Sequence, residues 1–507
     1  MEKRLILAIA LSLLILISWS AFVSKTYHIE NKEVAATKTE TAGVEPKPNL
    51  PTVLEQEIPL SSLSKFTQQK WDITFIDPTA SIKEVEFRGR HNYKFPLVSG
   101  FLLGDKSLNF KKESSSQDSI TFVHNGPSYN IVKKFTFHNS NYTIDLDIKI
   151  QNISKEPINC NMPLALGVLG FASNNINTRY QDVAVATKDK TSHLNAQKNA
   201  EIQEIKFLAL RDRYFCAIIE PVQNDFNAFI RKFNSKESEV GLSFKGIILN
   251  PGQQTEQKFH IYLGPQELKL INSVNPGWAT ILYYGTFDFI SQILLQLLGF
   301  LYAIVHNWGW AIVLLSLLVY IVLYPLSLKQ MRSMKEMQVL QPKIEELRKS
   351  YKDNPQKLNK EIMELYREHK VNPLGGCLPL ILQMPIFFAL YQALMRSVAL
   401  RGAHFLWIQD LSEPDRLFLL PVSLPVLGNE LNILPIVMAI GMFIQQKFSM
   451  SATAATSTSA EQQKMMMIIM PIMFGVIFYH MPSGLVLYWF INSTLMLIYQ
   501  IRISRSK

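Results

Sequence analysis

The sequence predicts two folds in one chain: an all-β sandwich, followed by an α-helical polytopic membrane bundle of about six spans. Three observations carry this. The mean composition, 48% hydrophobic and 18% charged, hides a split: residues up to about Pro265 read as a soluble protein, and most segments from about Trp278 onward are apolar enough for lipid. The first part alternates with period two, while the second contains apolar runs approaching the ~20 residues that cross a bilayer. Between two of those runs, over Trp308 to Lys370, a span leads directly into a charged helical hairpin, which fixes the sidedness of everything else.

Lys3 and Arg4 precede an apolar stretch from Leu5 to Val23. A cleaved signal has a shorter apolar core and a small-residue exit. Here the exit is Ser18-Trp19-Ser20-Ala21-Phe22, so residues 1–23 are expected to be an uncleaved anchor with a cytoplasmic N-terminus. Residues 24–63, rich in Lys, Thr, Glu and Pro, should form a disordered tether on the other side. Residues 64–268 carry the strand pattern: Ile144, Leu146, Ile148 and Ile150 alternate with Thr143, Asp145, Asp147 and Lys149. Turn signals such as Asn125-Gly126-Pro127 and Asn250-Pro251-Gly252 break up similar runs, as in a sandwich. Cys160 and Cys216 fall in this part, and both a disulfide and two free buried thiols remain open for them.

Residues 269–303 are aromatic and apolar but interrupted by Asp288, Ser291, Gln292 and Gln296, which suits an amphipathic helix in the membrane interface. A second span is expected over 304–328. Lys329, Arg332 and Lys335 follow it, so this end is cytoplasmic by the positive-inside rule and the sandwich lies outside. In the hairpin, 329–371, Leu340, Ile344, Leu347 and Tyr351 face Leu358, Ile362, Leu365 and Tyr366 across the break at Asp353-Asn354-Pro355, as a short antiparallel coiled coil. The remaining pattern gives a third span (372–396), an outer loop (397–431), a fourth span (432–448), a cytoplasmic loop (449–464), a fifth span (465–480), a sixth (484–501) and a short basic cytoplasmic tail (502–507).

The chemistry classes thin out quickly. The chain has no Walker A motif, no metal-type cysteine spacing and no paired acidic residues in a span, so no cofactor or metal is expected. The formal net charge of +10 fits positive-inside loops, and DNA is not an expected partner. The spans instead carry neutral polar and aromatic groups, which in membranes usually hydrogen-bond between helices and could also line a wet hollow. The hairpin holds eleven Lys/Arg and seven Asp/Glu, a net +4 that could meet anionic lipid headgroups or ribosomal RNA. A transporter or channel, and an exported sugar-processing enzyme, are the competing classes. The first needs charged mid-span groups and commonly an inverted repeat, the second a carboxylate pair.

At NWGWAIVLLSLLVYIVLYPLSLKQ, LQPKIEELRKSYKDNPQKLNKEIMELYREHKVNPLGGCLPLILQMPIFFALYQAL, FLWIQDLS, LPIVMAIGMFIQQK and MPSGLVLYWFINS, the chain closely resembles the YidC/Oxa/Alb family of membrane protein insertases. The likeness is to the Gram-negative type with a large periplasmic domain; RDRYFCAIIEP is a weaker match. It covers the C-terminal half densely and the β part loosely. The resemblance implies a non-enzymatic inner-membrane protein whose five core spans surround a hydrophilic groove open to cytoplasm and lipid, with the sandwich periplasmic. It implies nascent membrane proteins and the Sec translocon as partners, and the short tail and hairpin add a weak ribosome contact.

In that frame Ser316, Tyr320, Tyr324, Gln446, Tyr488, Trp489 and Asn492 are expected to form the client-contact groove. Arg332, Lys335, Lys343, Arg348, Lys349 and Lys352 are expected on the hairpin surface. One departure stands out: the family usually places an arginine four residues before the Tyr-Pro of this span, and here that position is Tyr320.

Overall fold

A computed structural model describes residues 62–88, 93–138, 140–170, 180–223, 226–234, 237–244, 246–351, 354–369, 371, 378–424, 428–451 and 460–505. The anchor and nearly all of the tether expected at the N-terminus lie outside the described residues, as do Lys352 and Cys377. The chain divides into two compact units between Leu282 and Tyr283.

The first unit is built of antiparallel strands. Its largest sheet runs, in spatial order, Thr191–Leu194, Asp182–Ala186, Phe207–Arg211, Phe215–Pro221, Gln254–Pro265, Thr143–Asn152, Tyr129–His138, Ser119–Asn125 and Lys111–Ser115. Alternation decides which face is inside: Ile144, Leu146, Ile148 and Ile150 are buried, while Thr143, Asp145, Asp147 and Lys149 are not. A four-stranded sheet, Leu63–Thr67 to Tyr93–Gly100, stacks on this one through aromatic rings. Phe75 lies 5.2 Å from Phe135 and 5.5 Å from Phe122, and Phe87 stacks on Phe215 at 4.1 Å. The result is the all-β sandwich. Cys160 and Cys216 are both buried and free, and burial pushes both thiols above their ordinary range.

One inward position breaks the apolar pattern. Lys133 shares the parity of Ile131, Phe135 and Phe137 and is fully buried. Its ammonium donates to Ala80 O at 2.7 Å and to Phe101 O. Ala80 (φ 46) and Phe101 (φ 58) both sit in the left-handed region, so the lysine ties down two strained turns. Burial pulls its pKa down to about 7.

In the second unit, α1 having ended the first as Leu268–Val274, the helices are α2 (Asp288–Val305), α3 (Trp308–Val339), α4 (Gln341–Ser350), α5 (Pro355–Glu368), α6 (Leu378–Met395), α7 (Ile433–Ser451), α8 (Ala460–Phe478) and α9 (Ser483–Arg505). Within α3, Trp308–Leu328 is long and apolar enough to cross a membrane, as are Asp288–Val305 and Ser483–Arg502. Their apolar residues face both ways. Leu315 and Val319 of α3 are buried, whereas Ile321 and Val322 are 61% and 65% exposed, which suits lipid and not water.

The helix begun at Trp308 runs through Pro325 to Val339, and the break falls at Leu340. The region expected to lie in the interface ends in an apolar helix, α2, whose interrupting polar groups are used internally. Ser291 donates to Ala389 O of α6 at 2.9 Å, and Gln292 donates to Asp288 at 2.8 Å. Asp288 in turn accepts from Tyr284 N at the start of the helix. Polar groups satisfied in this way do not require water.

The Lys133 geometry sets a sign for pH dependence. Between about 7 and the ~10.4 of an unfolded lysine, the unfolded chain binds the extra proton, so stability of the β unit rises with pH. Lys133→Met should remove that slope, on the order of 4 kcal/mol over the window, while leaving Ala80 O and Phe101 O unpaired. Thermal unfolding of the detergent-solubilised chain, followed through its β signal at pH 7 to 10, measures both.

Candidate functional site

The packing of the second unit follows from a few close approaches. Gly309, in the first turn of α3, is covered by the Phe405 ring, where a Cβ would fall 2.0 Å from ring carbons. Gly484, in the first turn of α9, lies against Leu411 and Ile312. Further along, Tyr324 of α3 meets Tyr499 of α9 edge-on at 5.3 Å. Thus α3 and α9 run side by side in the same direction, from the end held by residues 405–415. Gly475 brings α8 against Ala439 of α7.

That end is closed by a polar lock. Asp415, buried, accepts from Ile433 N (2.9 Å), Leu434 N (3.0 Å) and Trp407 Nε1 (3.2 Å), placing a carboxylate on the N-terminus of α7. Asn432 accepts from Arg416 N and donates to Tyr479 O at 2.8 Å, and the Tyr479 hydroxyl donates to Glu430 O at 2.7 Å. Ser483 N and Gly484 N, at the start of α9, donate to Glu413 O and Leu411 O.

The residues expected in a groove are distributed as follows. Ser316 is fully buried and its hydroxyl donates to Ile312 O of its own helix at 2.8 Å. Trp489 is 7% exposed inside an aromatic cluster of Phe387, Phe474 and Phe478, at ring distances of 5.1, 5.6 and 5.4 Å. Tyr488 is fully buried; its hydroxyl accepts from Gln383 Nε2 of α6 at 2.7 Å, and its carbonyl accepts from Asn492. Gln446 turns its amide towards Met470 Sδ at 3.7 Å. Tyr320 and Tyr324 stand one turn apart with rings at 6.3 Å, and the Tyr320 hydroxyl is shielded from solvent with no hydrogen-bond partner among the described residues.

The structure therefore brings together Tyr320, Tyr324 and Tyr499 on one side, and Gln383, Tyr488 and Asn492 on another. Among the described residues no hydrogen bond or ring contact joins Ser316 to Trp489. Arg396, the cation nearest in sequence to the third span, does not replace the missing arginine. Phe387 already meets Phe478, the last residue of α8, and α6 runs two further turns before Arg396, placing it at the locked end. Gln383 and Tyr499 contact expected groove residues without having been placed among them; a glutamine inside an apolar run was the available signal for the first.

On the hairpin, Leu340, Ile344, Ile362, Tyr366 and Val371 are buried together, with Leu347, Leu358 and Leu365 packed against them. Burial raises the Tyr366 phenol above its ordinary pKa. Asn354 caps α5 by accepting from Lys357 N at 3.1 Å. Lys343 and Lys349 are exposed, Arg348 is half-buried, and Arg348 and Lys349 occupy the last turn of α4. The side chains of Arg332 and Lys335 lie outside the described residues.

Two family models match: the 60Kd inner membrane protein family over residues 300–507 and the YidC periplasmic domain over residues 101–297. A membrane protein insertase YidC of Syntrophobacter fumaroxidans is 36% identical over 390 residues, spanning 74% of this chain and 68% of that one. Another, from Pelobacter propionicus, is 29% identical over 554 residues, spanning 100% and 99% of the two chains. A crystal structure of an active YidC insertase with the first transmembrane domain resolved is similar at TM-score 0.43 and 20% identity, over 87% of this chain and 93% of that one.

The Gln383–Tyr488 pair should be measurable as a coupling. Tyr488→Phe leaves the half-buried Gln383 amide without this partner and should lower thermal stability in detergent by about 1 kcal/mol. Adding Gln383→Leu should restore part of it, giving a non-additive double-mutant cycle.

Proposed function

The chain belongs to the YidC family of membrane protein insertases, and on that premise we propose how it handles its clients. It is an inner-membrane protein with a periplasmic domain, its substrates are newly made membrane proteins, and it is not an enzyme. The transporter reading does not survive that membership. In the proposed mechanism Ser316, Tyr320, Tyr324, Gln446, Tyr488, Trp489 and Asn492 line a neutral groove. A client's polar segment contacts the groove while its apolar segment slides into lipid. The observation that carries this is the Tyr320 hydroxyl: a shielded donor without a hydrogen-bond partner among the described residues, at the position where the family usually has an arginine.

Burial of the client's apolar surface, worth about 25 cal/mol per Å², supplies the driving force. The groove's part is to lower the penalty of carrying polar groups past hydrocarbon. With a phenol replacing a guanidinium, the groove offers a hydrogen bond but no fixed charge, so acidic client tails gain no special attraction.

The proposal keeps the sequence-derived topology: both termini and the hairpin 329–371 in the cytoplasm, and loop 397–431 in the periplasm. It assigns Arg332, Lys335, Lys343, Arg348, Lys349 and Lys352 to the hairpin surface, where they meet anionic lipids and, weakly, the ribosome together with the short tail. Action is alone or beside the Sec translocon.

Three outcomes test this. Photo-crosslinkers at Tyr320 and Tyr324 should capture a stalled nascent chain more strongly than ones at the buried Ser316 and Trp489; no capture from any of the four refutes the groove. Tyr320→Ala should weaken insertion less than deletion of Lys335 to Glu368, measured as protease-protected client in proteoliposomes. Depletion of the protein should leave small phage-coat-like or ATP synthase c-type proteins uninserted.

A further inference from the structure

Four large apolar side chains are displayed at the locked end of the helical unit. Leu406 is 73% exposed, Trp407 40%, Phe418 60% and Leu419 72%. Leu406 and Trp407 form the tip of a tight turn, closed by Phe405 N to Ile408 O (2.9 Å) and Ile408 N to Phe405 O (2.8 Å). Leu406 is held there at φ 53, a conformation that disfavours a branched side chain, so the fold keeps an apolar group outward against its own backbone preference. Phe418 and Leu419 begin the strand Phe418–Leu424, which pairs with Gly428–Leu431.

Both the turn at Leu406 and the base of the strand pair are held in place. Trp407 is tied through its indole to Asp415, and Asp415 to the first amides of α7. At the base of the strand pair, Arg416 forms ion pairs with Glu430 (2.9 Å) and Glu413 (3.4 Å).

We propose that these two tips form a lipid-docking surface that beds in the headgroup–acyl boundary of the leaflet at this end. The proposal rests on the chain spanning the membrane and not on the groove. What points to lipid is continuity with the spans: the Phe405 ring, beside Leu406 and Trp407, covers Gly309 in the first turn of α3. A hydrocarbon core is ~30 Å thick, and Trp308–Leu328 of α3 matches it at about 31 Å.

The exposed Ile436, Val437 and Ile440 begin within about one turn of the strand pair, which therefore continues the lipid-facing side of α7. A two-stranded ribbon has open edges and cannot enter hydrocarbon. At the boundary water still reaches those edges, and exposed Trp, Phe and Leu are favoured there. At the base Arg416 is paired with both Glu413 and Glu430, which leaves a single net negative charge at the watery edge.

The test uses the full chain in phospholipid nanodiscs, its three native cysteines replaced by serine. A single nitroxide is placed through Leu406→Cys, Leu419→Cys or, as a water-exposed control, Ser115→Cys. Power saturation should show oxygen collisions exceeding those with a water-soluble nickel chelate several-fold at 406 and 419, with the reverse at 115. Labels at 406 and 419 that behave like the control overturn the proposal. Labels shielded from both reagents also overturn it, in favour of a protein contact. The two positions lie on separate turns, so misfolding of one variant leaves the other informative.

Discussion

In the helical unit each polar group must find its partner inside the protein, because hydrocarbon offers none. The carboxylate of Asp415 shows how much depends on this. It occupies the N-terminus of α7, where orphan amides would otherwise face lipid, and also holds the Trp407 indole. The same rule explains Ser316, which bonds to its own helix, Ser291, which reaches across to α6, and Gln383, which finds Tyr488. Against that background the Tyr320 hydroxyl, like the Trp308 indole and the Gln500 carbonyl, has no hydrogen-bond partner among the described residues, and an insertase that hosts polar client segments has a use for a donor left open.

The β unit solves the same problem with the opposite chemistry. It accepts a lysine in its core, at a depressed pKa, because two carbonyls of left-handed turns converge on it. A lone ammonium is costly to bury, yet here it replaces water as the partner of backbone groups that the turns would otherwise strand. The membrane part of the chain, by contrast, keeps its spans neutral and relies on amides, hydroxyls and indoles.

Local pattern was legible where local physics decides. Alternation picked out the inward residues of Thr143–Asn152, and helical spacing picked out Leu340, Ile344, Ile362 and Tyr366, which are buried together. What escaped depends on distant partners. Nothing near Ser291 in the sequence reveals that it meets Ala389, 98 residues on. Asn432 looks like the natural cap for α7, yet it serves Tyr479, and Asp415 reaches the helix instead.

The continuity of α3 through Pro325 carries a mechanical meaning. A 32-residue helix is about 48 Å long, more than the hydrocarbon depth, so α3 is a strut with its tail outside the bilayer. The basic paddle hinged at Leu340 is joined to its end without a slack loop. A partner that tilts the paddle therefore pulls on the very rod bearing Tyr320 and Tyr324.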